Sequence, residues 1–337
     1  MGHRANLLLV DETGYKLFYC HWCGKSIPED VFWGVQYAVP FIKQQREVND
    51  GDGWLDDVWA EGGVLVDTSR HTLILWGGES LSYDIPLRRL YLELLQEVWS
   101  VWKVQWAHDG ILDLAKYVGV PRDRVVSTTL ERTPIETLDP PQQLDWTSAV
   151  ASFVLEDGTL RLFPLPNPDA HEYLESGPVL IEAAQAGTGY DQLPLHEWKQ
   201  EFPNAGFHID VPKKEVAFWG AYERGGVDFV VPAWEGWNVI WLKDNYEYQL
   251  ERTEGRLTLP MRSAEDLLEH LTSLLLQGAK PSMVDTILKL IEDERAKGYD
   301  VQVNSYALRE DPLELSLEIK QQILMAAIAG WKSRKSV

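Results

Sequence analysis

The stretch WSVWKVQWAHD at residues 99–109 recurs 135 residues later as WEGWNVIWLKD at residues 234–244. Both copies keep three tryptophans, one valine and one aspartate at the same spacing. Further blocks upstream of each copy recur in the same order, at offsets of 143 and 145 residues. These blocks are 63–67 with 206–210, 73–77 with 216–220, and 16–18 with 161–163. Such an order of tryptophan-containing blocks indicates an internal duplication of a module of roughly 120 residues.

The repeated blocks predict strands. Hairpins are expected where residues 6–10 and 15–20 flank Gly14, and where residues 64–66 and 72–76 flank a polar turn. We therefore predict an α+β fold with two tandem copies of a hairpin, helix, hairpin, helix and strand module, followed by a mostly helical C-terminal region. The predicted bounds are 1–127 for module A, 128–148 for a proline-containing linker, 149–256 for module B and 257–337 for the helical region.

The clearest predicted helix covers residues 85–98 of module A. Asp84 is a suitable N-cap, Pro86 falls in the first turn, and the apolar residues keep helical spacing. Module B has nine fewer residues between Glu223 and Trp234, and two of those that remain are glycines. We therefore expect module B to lack this helix, so that a binding site built on it would exist in module A alone.

The charge of the chain is strongly negative. It holds 31 Lys and Arg against 52 Asp and Glu, a net charge of −21. Residues 257–337 contain 10 basic and 12 acidic residues, which leaves −19 for the first 256 residues. Such a field repels a phosphate backbone, so direct binding of nucleic acid is not expected. It attracts a cationic protein instead, although acidity can also serve solubility alone.

Hydrophobic runs and cysteines indicate a cytoplasmic protein without a membrane segment. The apolar run at residues 7–10 is short for a signal peptide, and the run at 323–329 is short for a membrane span. The two cysteines, Cys20 and Cys23, cannot form a disulfide framework for a chain of 337 residues.

No metal or cofactor is predicted. A zinc site at Cys20 and Cys23 would need a second pair of ligands, and a redox pair would normally open a helix. The acidic run that begins at Asp50 has EF-hand spacing in part, but Leu55 stands where the loop requires glycine.

Catalytic signatures are absent: the chain has no G-x-S-x-G, G-x-G-x-x-G, phosphate loop or H-E-x-x-H motif. Four polar residues of module A have counterparts in module B that are changed or missing. They are His21, Asp57, Glu61 and His108. A histidine beside a carboxylate can perform general acid–base catalysis, and the simpler interpretation is that each is a surface charge.

Aromatic and basic residues of module A are the candidates for contact with a ligand or partner. They are Trp22, Trp54, Trp59, Arg88 and Arg89. The repeated tryptophans are predicted to lie in the core, because the motif recurs even in the copy expected to lose a helix. The alternative is a stacking platform for a sugar or another small ligand.

These observations favour a non-catalytic cytoplasmic binding protein. Its acidic modules would engage a basic protein partner, in the manner of an immunity or antitoxin-type inhibitor. The first alternative is an enzyme with an acid–base site at His21, Asp57 and Glu61, and the second is a binder of carbohydrate or small ligands. The apolar face of the last helix is expected to pack on the modules, and the alternative for it is a homodimer interface.

Overall fold

The computed structural model describes residues 3–127, 133–198, 201–221, 227–276, 283–302 and 315–335. Within these residues the chain forms two mixed β-sheets, a two-stranded parallel sheet and twelve α-helices. The predicted α+β class is therefore confirmed. None of the helices in the described part combines the length and hydrophobicity needed to cross a membrane.

Two hairpins and a final parallel strand form the main sheet of each module. In module A the strands are β1 (Ala5–Asp11), β2 (Gly14–Cys20), β3 (Arg46–Val48), β4 (Gly62–Asp67), β5 (Thr72–Trp76) and β6 (Lys103–Trp106). In module B they are β7 (Ala149–Val154), β8 (Leu160–Leu165), β10 (Ala205–Asp210), β11 (Glu215–Gly220) and β12 (Asn238–Trp241). The short strands β9 (Leu193–Pro194) and β13 (Leu257–Thr258) pair with each other.

Helices follow the strands in a similar order in both modules. Module A has α1 (Ile27–Val31), α2 (Val35–Gln44), α3 (Glu79–Tyr83), α4 (Ile85–Val98) and α5 (Ile111–Tyr117). Module B has α6 (Ala170–Leu174), α7 (Val179–Ala186), α8 (Val227–Ala233) and α9 (Glu247–Arg252). The C-terminal region has α10 (Ala264–Leu276), α11 (Met283–Ala296) and α12 (Leu317–Lys335).

The two sheets have the same topology over five strands. The order is β2-β1-β4-β5-β6 in module A, with β3 added beside β2, and β8-β7-β10-β11-β12 in module B. In both sheets the hairpin pairs are antiparallel, whereas the central pair and the last pair are parallel. The order of the repeated sequence blocks therefore coincides with the order of equivalent strands.

The repeated tryptophan motif has the same structural role in both modules. Trp99 is buried and donates its indole N–H to the carbonyl oxygen of Val31, the last residue of α1, at 3.2 Å. Trp234 is buried likewise and donates to Leu174, the last residue of α6, at 2.8 Å. The motif thus fixes the first helix of each module to its last strand, and these indoles leave no exposed face for a ligand.

In the second hairpin of each module, a glycine on the first strand pairs with a tryptophan on the second strand. Gly63 pairs with Trp76, and Gly206 pairs with Trp219. A Cβ at Gly63 would lie 2.1 Å from the indole of Trp76, so only glycine leaves room for the buried ring.

The helix before the last strand of module B is shorter than α4 rather than absent, which corrects the prediction. It is α8, with seven residues where α4 has fourteen, and it contains Pro232. Nine fewer residues leave space for about two helical turns at 3.6 residues per turn. The additional length of α4 is consequently a feature of module A alone.

The C-terminal helices α10 and α12 pack on α4 of module A. The main sheet of module A is called sheet A. Leu271, Leu324, Ala327 and Trp331 are buried in the same hydrophobic core as this sheet. A side-chain hydrogen bond between Ser263 and the backbone N–H of Asp266, at 3.0 Å, caps α10 as in a capping box. Part of the apolar face of α12 therefore contacts module A.

Candidate functional site

Side chains from four separate segments of the chain lie together at one edge of sheet A, the edge that is formed by the ends of its strands. Strands β1 and β4 begin at this edge, and β2 ends there, because β1 is antiparallel to β2 and parallel to β4. Since β2 and β4 flank β1, their ends are separated by about 10 Å. We call the resulting surface the aromatic patch; it comprises Arg4, Tyr19, His21, Trp22, Arg46, Trp59 and Glu61.

Arg4 links two parts of the aromatic patch. Its guanidinium stacks on the indole of Trp59, at 4.4 Å from the ring centroid. Its backbone N–H donates to a carboxylate oxygen of Glu61 at 3.0 Å. The same carboxylate lies 3.5 Å from Nδ1 of His3. Arg4 and Glu61 are therefore held in place before any partner arrives.

Tyr19 is the centre of the other half of the aromatic patch. Its hydroxyl and Nδ1 of His21 are 2.7 Å apart, and the guanidinium of Arg46 stacks 4.9 Å from its ring centroid. The ring of His21 makes an edge contact with Trp22 at 4.5 Å. Burial, followed by the positive charge of Arg4, lowers the pKa of His21 below its usual 6.5, so that His21 is neutral at pH 7.

Exposure distinguishes two tryptophans of this surface from most others in the chain. Only three of the 15 tryptophans are exposed, all within the described residues: Trp22 at 36%, Trp59 at 56% and Trp146 at 56%. Trp146 precedes β7 in module B, whereas the other two belong to the aromatic patch.

Asp57 and Trp54 lie outside the aromatic patch, although the sequence places them close to it. Asp57 is buried and accepts a hydrogen bond from the backbone N–H of Ser127 at 2.7 Å, so it fastens the end of module A. Trp54 donates to Asp50 at 2.9 Å. The carboxylate of Asp50 also accepts from Tyr15 and pairs with Arg124, so protein groups already occupy the acidic loop. The proposed acid–base trio of His21, Asp57 and Glu61 is therefore not assembled as one site.

Arg88 lies at the junction between the modules. Its guanidinium is fully buried, donates to the carbonyl oxygen of Ala221 at 2.6 Å and pairs with Asp244 at 3.4 Å. Burial lowers its pKa to about 10, and the charge of Asp244 opposes that effect. Ile85, one turn earlier in α4, is part of a core cluster of module B.

Arg89 makes a second connection between the modules. Its guanidinium donates to both carboxylate oxygens of Glu247 in α9 and to the carbonyl oxygen of Asp244. It also stacks on Tyr246 at 4.5 Å from the ring centroid. Arg88 and Arg89, which the sequence suggested as partner contacts, thus contact module B of the same chain.

His108 and Asp109 lie near this junction, after β6. Burial, followed by the charge of Arg88, lowers the pKa of His108 to about 4. Burial, followed by the nearby carboxylate of Asp113, raises the pKa of Asp109 to about 6. Nδ1 of His108 and Oδ1 of Asp109 are buried without a hydrogen-bond partner among the described residues. His108 is therefore close to the module junction and separate from the aromatic patch.

Metal and thiol chemistry gains no support from the geometry of the described part. No group of three or more His, Cys, Asp or Glu side chains there is arranged to hold a metal ion. Cys20 and Cys23 are buried and free, and burial raises the pKa of the Cys23 thiol well above 9.0. A thiol with a raised pKa is a poor nucleophile at neutral pH.

A shallow depression of about 350 Å³ lies at the opposite edge of sheet A. It is lined by Asp11, Glu12, Thr13, Thr68 and Ser69, which belong to the two hairpin turns.

In comparisons with known proteins, no family model, no curated protein and no solved structure matches this chain.

The structure brings together four of the candidate residues from the sequence: His21, Trp22, Trp59 and Glu61. Sequence reasoning missed Arg4, Tyr19 and Arg46, which complete the aromatic patch. Arg4 lies two residues before the first predicted strand, which begins at residue 6, and this position was a signal that it would lie at a sheet edge. Arg46 gave no comparable signal, because its contact with Tyr19 depends on the pairing of β3 with β2.

Proposed function

We propose that the protein is a non-catalytic cytoplasmic binding protein and that a protein partner docks on the aromatic patch of module A. The observation that carries this proposal is the joint exposure of Trp22 and Trp59 on one sheet edge, in a chain that buries or half-buries 12 of its 15 tryptophans. Tryptophan, tyrosine and arginine are the residue types most enriched at binding hot spots. All three types meet in the aromatic patch.

Pre-organisation supports the same proposal. The stacking on Trp59 and the backbone hydrogen bond to Glu61 already restrict Arg4. Tyr19 is restricted by His21 on one side and by Arg46 on the other. Side chains that are ordered before association lose less conformational entropy on binding, so more of the contact energy remains as affinity.

The charge distribution favours a basic partner. The first 256 residues carry a net charge of −19, and this field accelerates the approach of a cationic protein. An acidic chain that covers a basic protein would act in the manner of an immunity or antitoxin-type inhibitor. The enzyme alternative has less support, because Asp57 is directed to Ser127 and not to His21.

The test uses the full-length chain, immobilised and exposed to lysate of the source cells at low and at high salt. We expect one stoichiometric partner whose capture weakens as salt rises, and mass spectrometry identifies it. The affinity of the purified pair is then measured for the wild type and for Trp59→Ala. We expect Trp59→Ala to weaken binding at least tenfold, about 1.4 kcal/mol.

Trp146→Ala is the matched control, because Trp146 has the same exposure of 56% as Trp59 but lies outside the aromatic patch. We expect it to change the affinity less than twofold. Equal losses for the two variants, or a purified chain that turns over a small molecule without any partner, would contradict the proposal.

A further inference from the structure

We propose that Arg4 and Arg46 form a carboxylate-binding site within the aromatic patch and that the partner inserts an Asp or Glu side chain there. This inference rests on the proposed function, because it names the chemistry by which that docking surface recognises its partner.

The first observation is the convergence of positive groups on Tyr19. The guanidinium of Arg46 covers the tyrosine ring, and the positive charges of Arg4 and Arg46 both oppose the effect of burial, which raises the pKa of the hydroxyl. His21 lies on the other side of that hydroxyl, at 2.7 Å. Two guanidiniums, a hydroxyl and an imidazole therefore surround one point of the surface.

The second observation is that both guanidiniums lack a carboxylate partner among the described residues. Four other arginines of module A, Arg88, Arg89, Arg122 and Arg124, pair with a carboxylate, whereas within the described part of the chain Arg70 at the opposite edge of the sheet does not. Only the backbone N–H of Arg4 contacts Glu61; its guanidinium stacks on Trp59 and hydrogen-bonds the hydroxyl of Tyr19, and neither of these partners carries a charge. Planar guanidinium groups bind carboxylates through paired hydrogen bonds and keep their stacking on aromatic rings while they do so.

The net charge of the chain decides which anion fits. A field of −21 opposes every anion, and it opposes a doubly charged phosphate about twice as strongly as a singly charged carboxylate. A carboxylate carries a single charge, and the basic surface of the partner that bears it offsets the repulsion.

Specificity follows from this arrangement. A basic protein without an acidic residue at the contact would bury Arg4 and Arg46 without a counter-charge, which is costly at an interface. The site would therefore select one register among many cationic surfaces that the acidic field attracts.

The test uses a rhodamine-labelled peptide with one glutamate between lysines, Lys-Lys-Glu-Lys-Lys, as the probe, and fluorescence anisotropy at physiological ionic strength. We expect the wild-type chain to bind this peptide more tightly than Lys-Lys-Gln-Lys-Lys, in which the glutamate is replaced by glutamine. The double variant Arg4→Gln/Arg46→Gln is expected to lose at least tenfold in affinity. The control is Arg70→Gln. Arg70 follows β4 at the opposite edge of sheet A, stacks on Tyr117 at 5.9 Å and also lacks a carboxylate partner among the described residues. We expect this variant to change the affinity less than twofold. Circular dichroism confirms that each variant is folded.

The inference is overturned if the wild type binds the glutamate and glutamine peptides equally, or if the double variant and the wild type bind the glutamate peptide equally. Failure of the proposed function looks different, because it is seen in the purified complex when Trp59→Ala and Trp146→Ala behave alike. If Trp59→Ala weakens the complex but Arg4→Gln/Arg46→Gln does not, the docking surface stands and the carboxylate site is rejected.

Discussion

Arg88 in α4 of module A donates a hydrogen bond to the backbone carbonyl oxygen of Ala221 in module B, 2.6 Å away. The same buried guanidinium pairs with Asp244. Arg88→Ala leaves the carbonyl oxygen of Ala221 without this donor, whereas Asp244 is 20% exposed and keeps Arg89 at 3.8 Å. We therefore expect Arg88→Ala to lower the free energy of unfolding by about 1–3 kcal/mol. Urea denaturation measures this difference.

The control for that variant is Arg122→Ala, which breaks an exposed ion pair between the modules, from Arg122 to Asp228 at 2.7 Å. Exposed pairs contribute about 0–1 kcal/mol. If Arg88→Ala costs no more than Arg122→Ala, the buried guanidinium does not stabilise the junction.

His208 of β10 predicts a loss of stability in acid. It is buried beside Ser152 at 2.8 Å, and burial lowers its pKa to about 4. The unfolded chain takes up this proton below pH 6.5, whereas the folded chain does so only near pH 4. The free energy of unfolding should therefore fall between these values by at most about 3 kcal/mol and should show no such effect above pH 6.5.

Module A supplies the matched variant for this measurement. Leu8 and Leu65 occupy the register that Ser152 and His208 occupy in module B. In Ser152→Leu/His208→Leu, urea denaturation from pH 7 to pH 4.5 should show a shallower decline than the wild type. An unchanged slope would mean that His208 is not the group responsible.

Asp109 predicts a pH dependence of opposite sign. Its pKa is raised to about 6, so above pH 4 the unfolded chain ionises this carboxyl more readily than the folded chain does. The folded state therefore loses stability as the pH rises from about 4 to about 6. We expect Asp109→Asn to stabilise the protein by about 1–2 kcal/mol at pH 7 and not at pH 4. Thermal melts at both pH values test this, and equal shifts at both would refute it.

The close approach of Gly63 to Trp76 predicts a steric effect. A Cβ at Gly63 would lie 2.1 Å from the buried indole, so Gly63→Ala should cost more than about 2 kcal/mol. Gly51→Ala is the control, because its nearest neighbour, a side-chain oxygen of Asn49, is 3.4 Å away. In a double-mutant cycle, Gly63→Ala should destabilise the Trp76→Leu variant less than it destabilises the wild type. Strict additivity of the two effects would argue against the clash.

The burial of Trp331 allows a prediction of how much α12 contributes to the free energy of unfolding. It is buried against α4 and its indole N–H donates to a carboxylate oxygen of Glu93. Trp331→Ala should lower the free energy of unfolding by about 3–5 kcal/mol. Met325→Ala, on the exposed face of the same helix, should change it by less than about 0.5 kcal/mol. Similar small effects of both variants would mean that α12 is not part of the fold's core.

Local signals in the sequence predicted most elements correctly. The N-cap Asp84, which accepts from the backbone N–H of Leu87 at 3.0 Å, and the apolar spacing after it placed α4 at residues 85–98. The two stretches that flank the turn at Gly14 gave the first hairpin. These features depend on contacts within a few residues, which composition and spacing record directly.

Features that depend on distant contacts were not predicted. Arg88 has the spacing of an ordinary charge on an amphipathic helix, and its burial results from a module that begins some 60 residues later. The contact between Arg4 and Trp59 joins residues 55 positions apart, and no local pattern encodes it. The aromatic patch could therefore be predicted only in part, through residues whose types are unusual on a surface.

Helix α4 contacts nearly every part of the molecule: its first turn enters module B, its middle lies on sheet A, and α10 and α12 cover it. During translation, residues 85–98 leave the ribosome long before Ala221, Asp244 and Trp331 are synthesised. The nascent N-terminal half therefore carries Ile85 and Arg88 without their final neighbours until module B has been synthesised. A truncated product would keep that apolar turn uncovered, which makes premature termination a route to aggregation rather than to a smaller working protein.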